Sequence, residues 1–146
     1  MSKSNTFEND LVLLLFNNTD IANVGDAGGV RGSVTAGSLW LSLHTADPGE
    51  TGTAVTSETA YTGYARQAVA RSGAGFVVTN NSVSPAANVD FPECTAAAGG
   101  PITYFGVVNT SSGAGKLLYS GTVTPNVTMA VGVIPRLKTT STITED

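Results

Sequence analysis

The sequence predicts an all-β protein, a jelly-roll-like antiparallel sandwich of about eight short strands behind one N-terminal α-helix. Three observations carry that expectation. Leu39, Leu41 and Leu43 alternate with Trp40, Ser42 and His44, the period-two pattern of a strand with one buried face. Asp47-Pro48-Gly49 then supplies a turn, because proline presets φ and glycine accepts positive φ. Charged residues make up only 12% of the chain, against a globular norm of roughly 25%. Thr, Ser, Gly, Ala and Val fill the difference, and they suit strands and tight turns better than long helices.

The elements follow in order. Residues of about 6–17 read as a helix. Asn5 or Thr6 can cap it, and Glu8 and Asp10 sit near its start, where the helix dipole favours anions. Phe7, Leu11, Leu14 and Leu15 fall on one face, yet Val12, Leu13 and Phe16 are apolar too. A helix greasy nearly all round must be covered on several sides, by its own domain or by a neighbouring chain. Residues of about 17–37 form a Gly-rich loop, long enough to suggest a functional or mobile segment. The sandwich then runs over about 38–144, with strands expected at Leu39–His44, Tyr64–Arg71, Phe76–Thr79 and near Val83. Asn80-Asn81 supplies a hairpin-like turn between the last two. Further strands are expected at Asn88–Phe91, Ile102–Val108, Lys116–Val123, Val127–Val133 and Arg136–Ile143. Ser111–Gly115 turns between the Ile102 and Lys116 strands, and Pro135 marks a boundary or edge.

With 146 residues and 41% apolar content, the chain is expected to form one domain, 1–146, whose core needs no disulfide or metal. A net charge of −4 and scattered Lys and Arg leave no basic stripe, which argues against nucleic acid as a partner. Cys94 is the single cysteine and is expected to pack as a small apolar residue. The apolar run Leu11–Phe16 is far too short for a membrane span and follows two acids, so no membrane partner and no secretory signal are expected. The chain is read as made in a cytoplasm. A surface so poor in charge is kept soluble by hydroxyls and amides, or is covered by other chains.

No chemical motif survives inspection. His44 is the only histidine, so a Ser-His-Asp triad would have to join it to Ser42 and Asp47. Strand residues two apart project in parallel rather than converging, and a hydrogen-bonded histidine at a strand end is the better account. Asp47 and Glu50 could hold calcium only weakly, and a solvated turn explains them as well. Asp20–Gly25 resembles the start of an EF-hand, but Ala22 and Val24 occupy ligand positions. Gly115-Lys116 ends like a phosphate-binding loop, yet Thr110 and Leu117 replace required residues. No catalytic, cofactor-binding or metal-ligating residue is therefore expected, and no cofactor.

In its order of blocks the chain resembles a family of small bacteriophage virion proteins. The blocks are Leu39-Trp40-Leu41-Ser42-Leu43-His44-Thr45-Ala46-Asp47-Pro48, Gly63-Tyr64-Ala65-Arg66-Gln67-Ala68-Val69, Asp90-Phe91-Pro92, Ile102-Thr103-Tyr104-Phe105-Gly106-Val107 and Leu117-Leu118-Tyr119-Ser120-Gly121. The resemblance spans about Phe7 to Thr144, and the Asn17–Gly37 loop departs from the pattern by its length and glycine content. Such proteins carry two kinds of label, tail fibre and capsid decoration or cement. The resemblance implies a jelly-roll-like β fold and a structural role in the particle, without catalysis.

Of the two labels the capsid is favoured, because a fibre subunit normally needs an elongated or repetitive segment and none is visible. The expected function is then decoration of the outer capsid surface, cementing neighbouring subunits of the major capsid protein. A homodimer is the favoured assembly, a trimer the other. The apolar helix and loop would supply the contacts: Leu11, Leu13, Leu14 and Phe16 from the helix, Ile21, Val24 and Val30 from the loop. The alternative is a tail or fibre-associated module that binds a host glycan through Trp40, Tyr61, Tyr64 or Tyr104.

Overall fold

A computed structural model describes residues 2–146. In chain order its elements are α1 (Asn5–Asn17), β1 (Ser38–His44), β2 (Gln67–Ala70), β3 (Phe76–Thr79), β4 (Ser82–Pro85), β5 (Val89–Asp90), β6 (Ile102–Val108), β7 (Leu117–Val127), β8 (Arg136–Leu137) and β9 (Ile143–Thr144). The all-β class with antiparallel sheets and a single helix is the class observed. The strands are shared among sheets of four, three and two, ordered β2-β1-β6-β7, β3-β4-β9 and β5-β8. They fall into two compact units of interleaved segments. One comprises the chain up to Ser38 with Val69–Asn88 and Lys138–Asp146; the other comprises Leu39–Ala68 and Val89–Leu137.

The first unit is built on α1 and the β3–β4 hairpin. Ser4, not Asn5 or Thr6, caps the helix: its extended backbone stops the helix and its Oγ accepts the Phe7 N–H at 3.4 Å. At the other end Asn18 adopts the left-handed conformation (φ 57°) and closes the last turn on the Leu13 carbonyl. The buried stripe is Glu8, Val12 and Phe16, not the Phe7, Leu11, Leu14 and Leu15 face that the hydrophobic pattern picked out. Phe16 meets Phe76 of β3 edge to face, with ring centroids 5.0 Å apart, and that contact decides which side of the helix turns inward. Val12 and Glu8 follow one and two turns behind, and the Glu8 carboxylate accepts a hydrogen bond from the Asn81 side chain at 3.4 Å. Phe7 stays exposed, and Leu11, Leu13, Leu14 and Leu15 are half-buried.

The hairpin turns at Asn80-Asn81 as expected, with Asn80 at φ 55° and Thr79 opposite Ser82. β9 adds to β4 through Val83 and Ile143. The Asn17–Gly37 segment is more ordered than a plain loop. Ile21 and Val30 bridge each other, Asn18 is tied to Ser33 from both ends of its amide, and Asp26 accepts the N–H groups of Gly28 and Gly29.

The second unit is organised by β1 and β6, which pair antiparallel from Trp40↔Val108 to His44↔Tyr104. The alternation in β1 predicts one buried face, but both are buried: Leu39, Leu41 and Leu43 on one side, Ser42 and His44 on the other. Four expected strands are corrected. Of Tyr64–Arg71 only Gln67–Ala70 is strand, because Tyr64 and Arg66 turn to a part-buried carboxylate described below. The Lys116 strand runs on to Val127, and Val127–Val133 is not a strand of its own. There the chain turns at Gly132 (φ 88°), whose N–H reaches the Cys94 carbonyl. Arg136–Ile143 yields only the two-residue pieces β8 and β9, separated by a turn in which Ser141 donates to Lys138.

Candidate functional site

The densest polar cluster lies in the second unit. β1 places Ser42 and His44 on one face, and their side chains do meet: Ser42 Oγ lies 2.8 Å from His44 Nε2. The imidazole is long enough to close the gap between residues two apart, which the parallel-projection argument overlooked. His44 Nδ1 lies 2.8 Å from the Thr56 carbonyl, which can only accept, so Nδ1 carries the proton and Ser42 donates to Nε2. Burial, partly offset by that carbonyl, holds the His44 pKa below its ordinary value. Gly106 faces Ser42 from β6, and a Cβ there would come within 2.6 Å of Ser42 Oγ and 2.8 Å of His44 Nε2. Ser42 and His44 are both wholly buried, so no substrate can reach the hydroxyl. Asp47 takes no part; its Oδ1 accepts the Gly49 N–H at 2.9 Å and shapes the turn.

Beside this pair sits an ion pair, its arginine buried and its carboxylate nearly so, that no sequence motif announced. Arg66 places Nε 2.7 Å from Glu58 Oε1 and Nη2 2.8 Å from Oε2, a two-pronged contact. Its remaining N–H groups go to the carbonyls of Ala54, Thr110 and Gly113. Tyr64 donates its hydroxyl to Glu58 Oε1 at 2.8 Å and accepts the Leu43 N–H at 3.1 Å. Burial first, then Glu58, pushes the Tyr64 pKa well above the usual phenol range. The hydrogen bond to Glu58 raises the Arg66 pKa. Each of these side chains has a partner, and the cluster ties loops to a sheet.

The other motifs resolve as structural devices. Asp20 accepts the Gly32 N–H at 2.7 Å and lies 3.6 Å from Arg31. Lys116 donates its N–H to Asn109 Oδ1 at 2.8 Å, closing the turn before β7. Cys94 is fully buried. Among the described residues no three His, Cys, Asp or Glu gather as a metal site, and no helix is long and apolar enough to cross a membrane. A groove of about 530 Å³ in the first unit is lined by Asn5, Thr6, Asn9, Asn80 and Asn81. Another of about 490 Å³ in the second runs between Asp47–Gly52 and Leu117–Ser120.

The expected contact residues divide. Phe16 is fully buried and Ile21 is 4% exposed, so the chain itself covers both. The Phe76 ring and the Val30 bridge hold them there. Leu11, Leu13 and Leu14 are half-buried, whereas Val24 and Val30 are exposed. Val34, which the sequence did not single out, projects fully into solvent. Of the aromatic candidates, Tyr61 is buried with its hydroxyl on the Pro92 carbonyl and its pKa pushed up to about 12, chiefly by burial. Tyr64 stacks on Phe91 and spends its hydroxyl on Glu58. Trp40 and Tyr104 are half-buried.

A family model described as podophage GP4 fiber I protein gp80 matches residues 2–144. The chain belongs to this family. It is thus a bacteriophage structural protein of the virion, in agreement with the resemblance seen in its sequence blocks. No curated protein matches it.

Proposed function

We propose that this gp80-family chain is a non-catalytic subunit of the phage fibre apparatus that works by attachment to other virion chains. One observation carries the reading: the fibre-protein family model extends over nearly the whole chain, residues 2–144. The side chains agree, since Ser42, His44, Glu58 and Arg66, the residues best suited to chemistry, satisfy one another inside the second unit. Leu11, Leu13, Leu14, Val24 and Val30 are the contacts proposed for attachment.

A capsid-decorating cement is the second reading. It is favoured by the modest elements, a helix of 13 residues and a longest strand of 11, with no repeat that would build a shaft. Copy number separates the two. Quantitative densitometry of purified particles is expected to give a few copies or a dozen per virion for a fibre subunit; hundreds of copies would replace the fibre by the capsid. Leu14→Asp is expected to leave the circular dichroism spectrum unchanged and to abolish incorporation into particles. Normal incorporation of that variant would remove the helix from the contact.

A further inference from the structure

Residues 57–59 lie against β1 on the side opposite β6, since His44 pairs with Tyr104 on one side and bridges Glu58 on the other. The Thr45 N–H donates to the Ser57 carbonyl at 2.8 Å and the Thr59 N–H to the Leu43 carbonyl at 2.9 Å. Arg66 fixes this run at two points, Glu58 through the two-pronged contact and Ala54 through its carbonyl at 3.3 Å. Ala54 and Thr59 are buried. Between those points the hold is looser. Val55 is 45% exposed, and Thr56 and Ser57 are half-buried. Ser57 has φ 54°, a left-handed backbone that serine keeps only where its surroundings impose it.

Residues 55–57 reach β1 through two carbonyls, that of Ser57 on Thr45 and that of Thr56 on His44 Nδ1. The second contact belongs to a wholly buried ring and depends on its charge. Neutral His44 uses both nitrogens, donating from Nδ1 and accepting the Ser42 hydroxyl at Nε2. A second proton would sit on Nε2 and turn the Ser42 hydroxyl away from its acceptor. It would also place a charge where no counter-charge is free. Glu58 is engaged by Arg66 and Tyr64, and Arg66 itself opposes the proton. β6 faces the ring with Gly106 and Tyr104, and β7 carries no charged residue. The Thr56 carbonyl favours the cation, but exclusion of water outweighs it. Of the groups around the ring, Ser42 and Gly106 sit in paired strands. Thr56 sits on a segment that can lift without unpairing a strand or opening the Arg66 contact.

We propose that residues 55–57 form an acid-released strap: protonation of His44 lifts them from β1 while Ala54 and Glu58 stay tied to Arg66. Lifting admits water to the imidazole and bares the Thr45 N–H on the outer side of β1. The device lies within the second unit, so it stands or falls separately from the fibre reading. Amide exchange on the full chain, corrected for intrinsic rates and compared at about pH 7.5 and about pH 5.5, tests it. Thr45, whose N–H ends on the strap, should be less protected than Thr59, whose N–H ends on β1 beyond the anchor. Over that interval the protection of Thr45 should fall about tenfold, as an open form with the ordinary histidine value of 6.5 takes up the proton and the closed form does not. His44→Gln keeps a donor and an acceptor but does not titrate, and it should remove the fall. Equal protection of Thr45 and Thr59, no fall in the wild type, or a fall that persists in His44→Gln each overturns the proposal. The wild-type comparison alone decides it should the variant fail to fold.

Discussion

The two units each hang on an arginine, and the two arginines are handled differently. In the first unit Arg71 donates to the Leu14 and Leu15 carbonyls at 2.7 Å each, and also to Ala36 and to Ser33 Oγ. It thereby supplies, from outside the helix, a cation at the C-terminal end of α1, which has no basic residue in its own last turn. Among the described residues no carboxylate lies within ion-pair distance of it. In the second unit Arg66 also donates to three carbonyls, but it is 5% exposed and takes Glu58 as well. Solvent decides the difference. A half-exposed guanidinium keeps enough water to stay without a counter-charge, while one removed from water needs a carboxylate to offset its desolvation.

Four measurements would break or sharpen that contrast. The largest effect is expected from Arg66→Ala, which strands the Glu58 carboxylate and three carbonyls. Breaking a buried pair costs about 3–5 kcal/mol, read as a lower urea midpoint. A loss no greater than that from Arg71→Ala would erase the distinction. Next comes Gly106→Ala, whose methyl would press into Ser42 and His44. Overpacking of this kind costs about 1–3 kcal/mol and should show in thermal unfolding. Arg71→Ala should cost about 1–2 kcal/mol, as loss of charged hydrogen bonds at a helix end does. Amide exchange should accelerate first in the last turn of α1. The smallest effect is the pH response of His44. Its folded pKa lies below the ordinary 6.5, so as pH falls below 6.5 the unfolded chain takes up the proton first. Stability is therefore full above 6.5 and is lost on acidification, by at most about 1.4 kcal/mol per pH unit. His44→Gln should flatten that slope; an unchanged slope would mean His44 is not the group responsible.

Elements whose cause is local were legible. The Asp47-Pro48-Gly49 turn, the Asn80-Asn81 hairpin and the Ile102–Val108 strand stand where residue chemistry put them. The helix was legible as a helix but not in its orientation. All of Leu11–Phe16 is apolar, so nothing in the pattern favoured the Val12 and Phe16 stripe until Phe76 came against it. The second burial of β1 was hidden for a related reason. Ser42 and His44 look like solvent-facing residues, and only Gly106, more than sixty positions away, makes room to bury them. Arg66 with Glu58 and Tyr64 left no trace, because partners 8 and 6 residues apart across a loop follow no helical or strand period. Among the proposed contact residues, Phe16 and Ile21 are buried by the chain itself, which the sequence could not show: an apolar side chain looks alike whether its own domain or a neighbour covers it.

By itself the sequence determined the class of fold, the local turns and the kinship with phage virion proteins. Those follow from side-chain period, backbone preference and the order of short blocks, all readable within a few residues of one another. Which faces are buried, which polar groups satisfy one another and which strand is left at the sheet edge were decided by the tertiary structure. Each of these depends on what a distant segment brings into contact, and water is excluded only where two such segments close together.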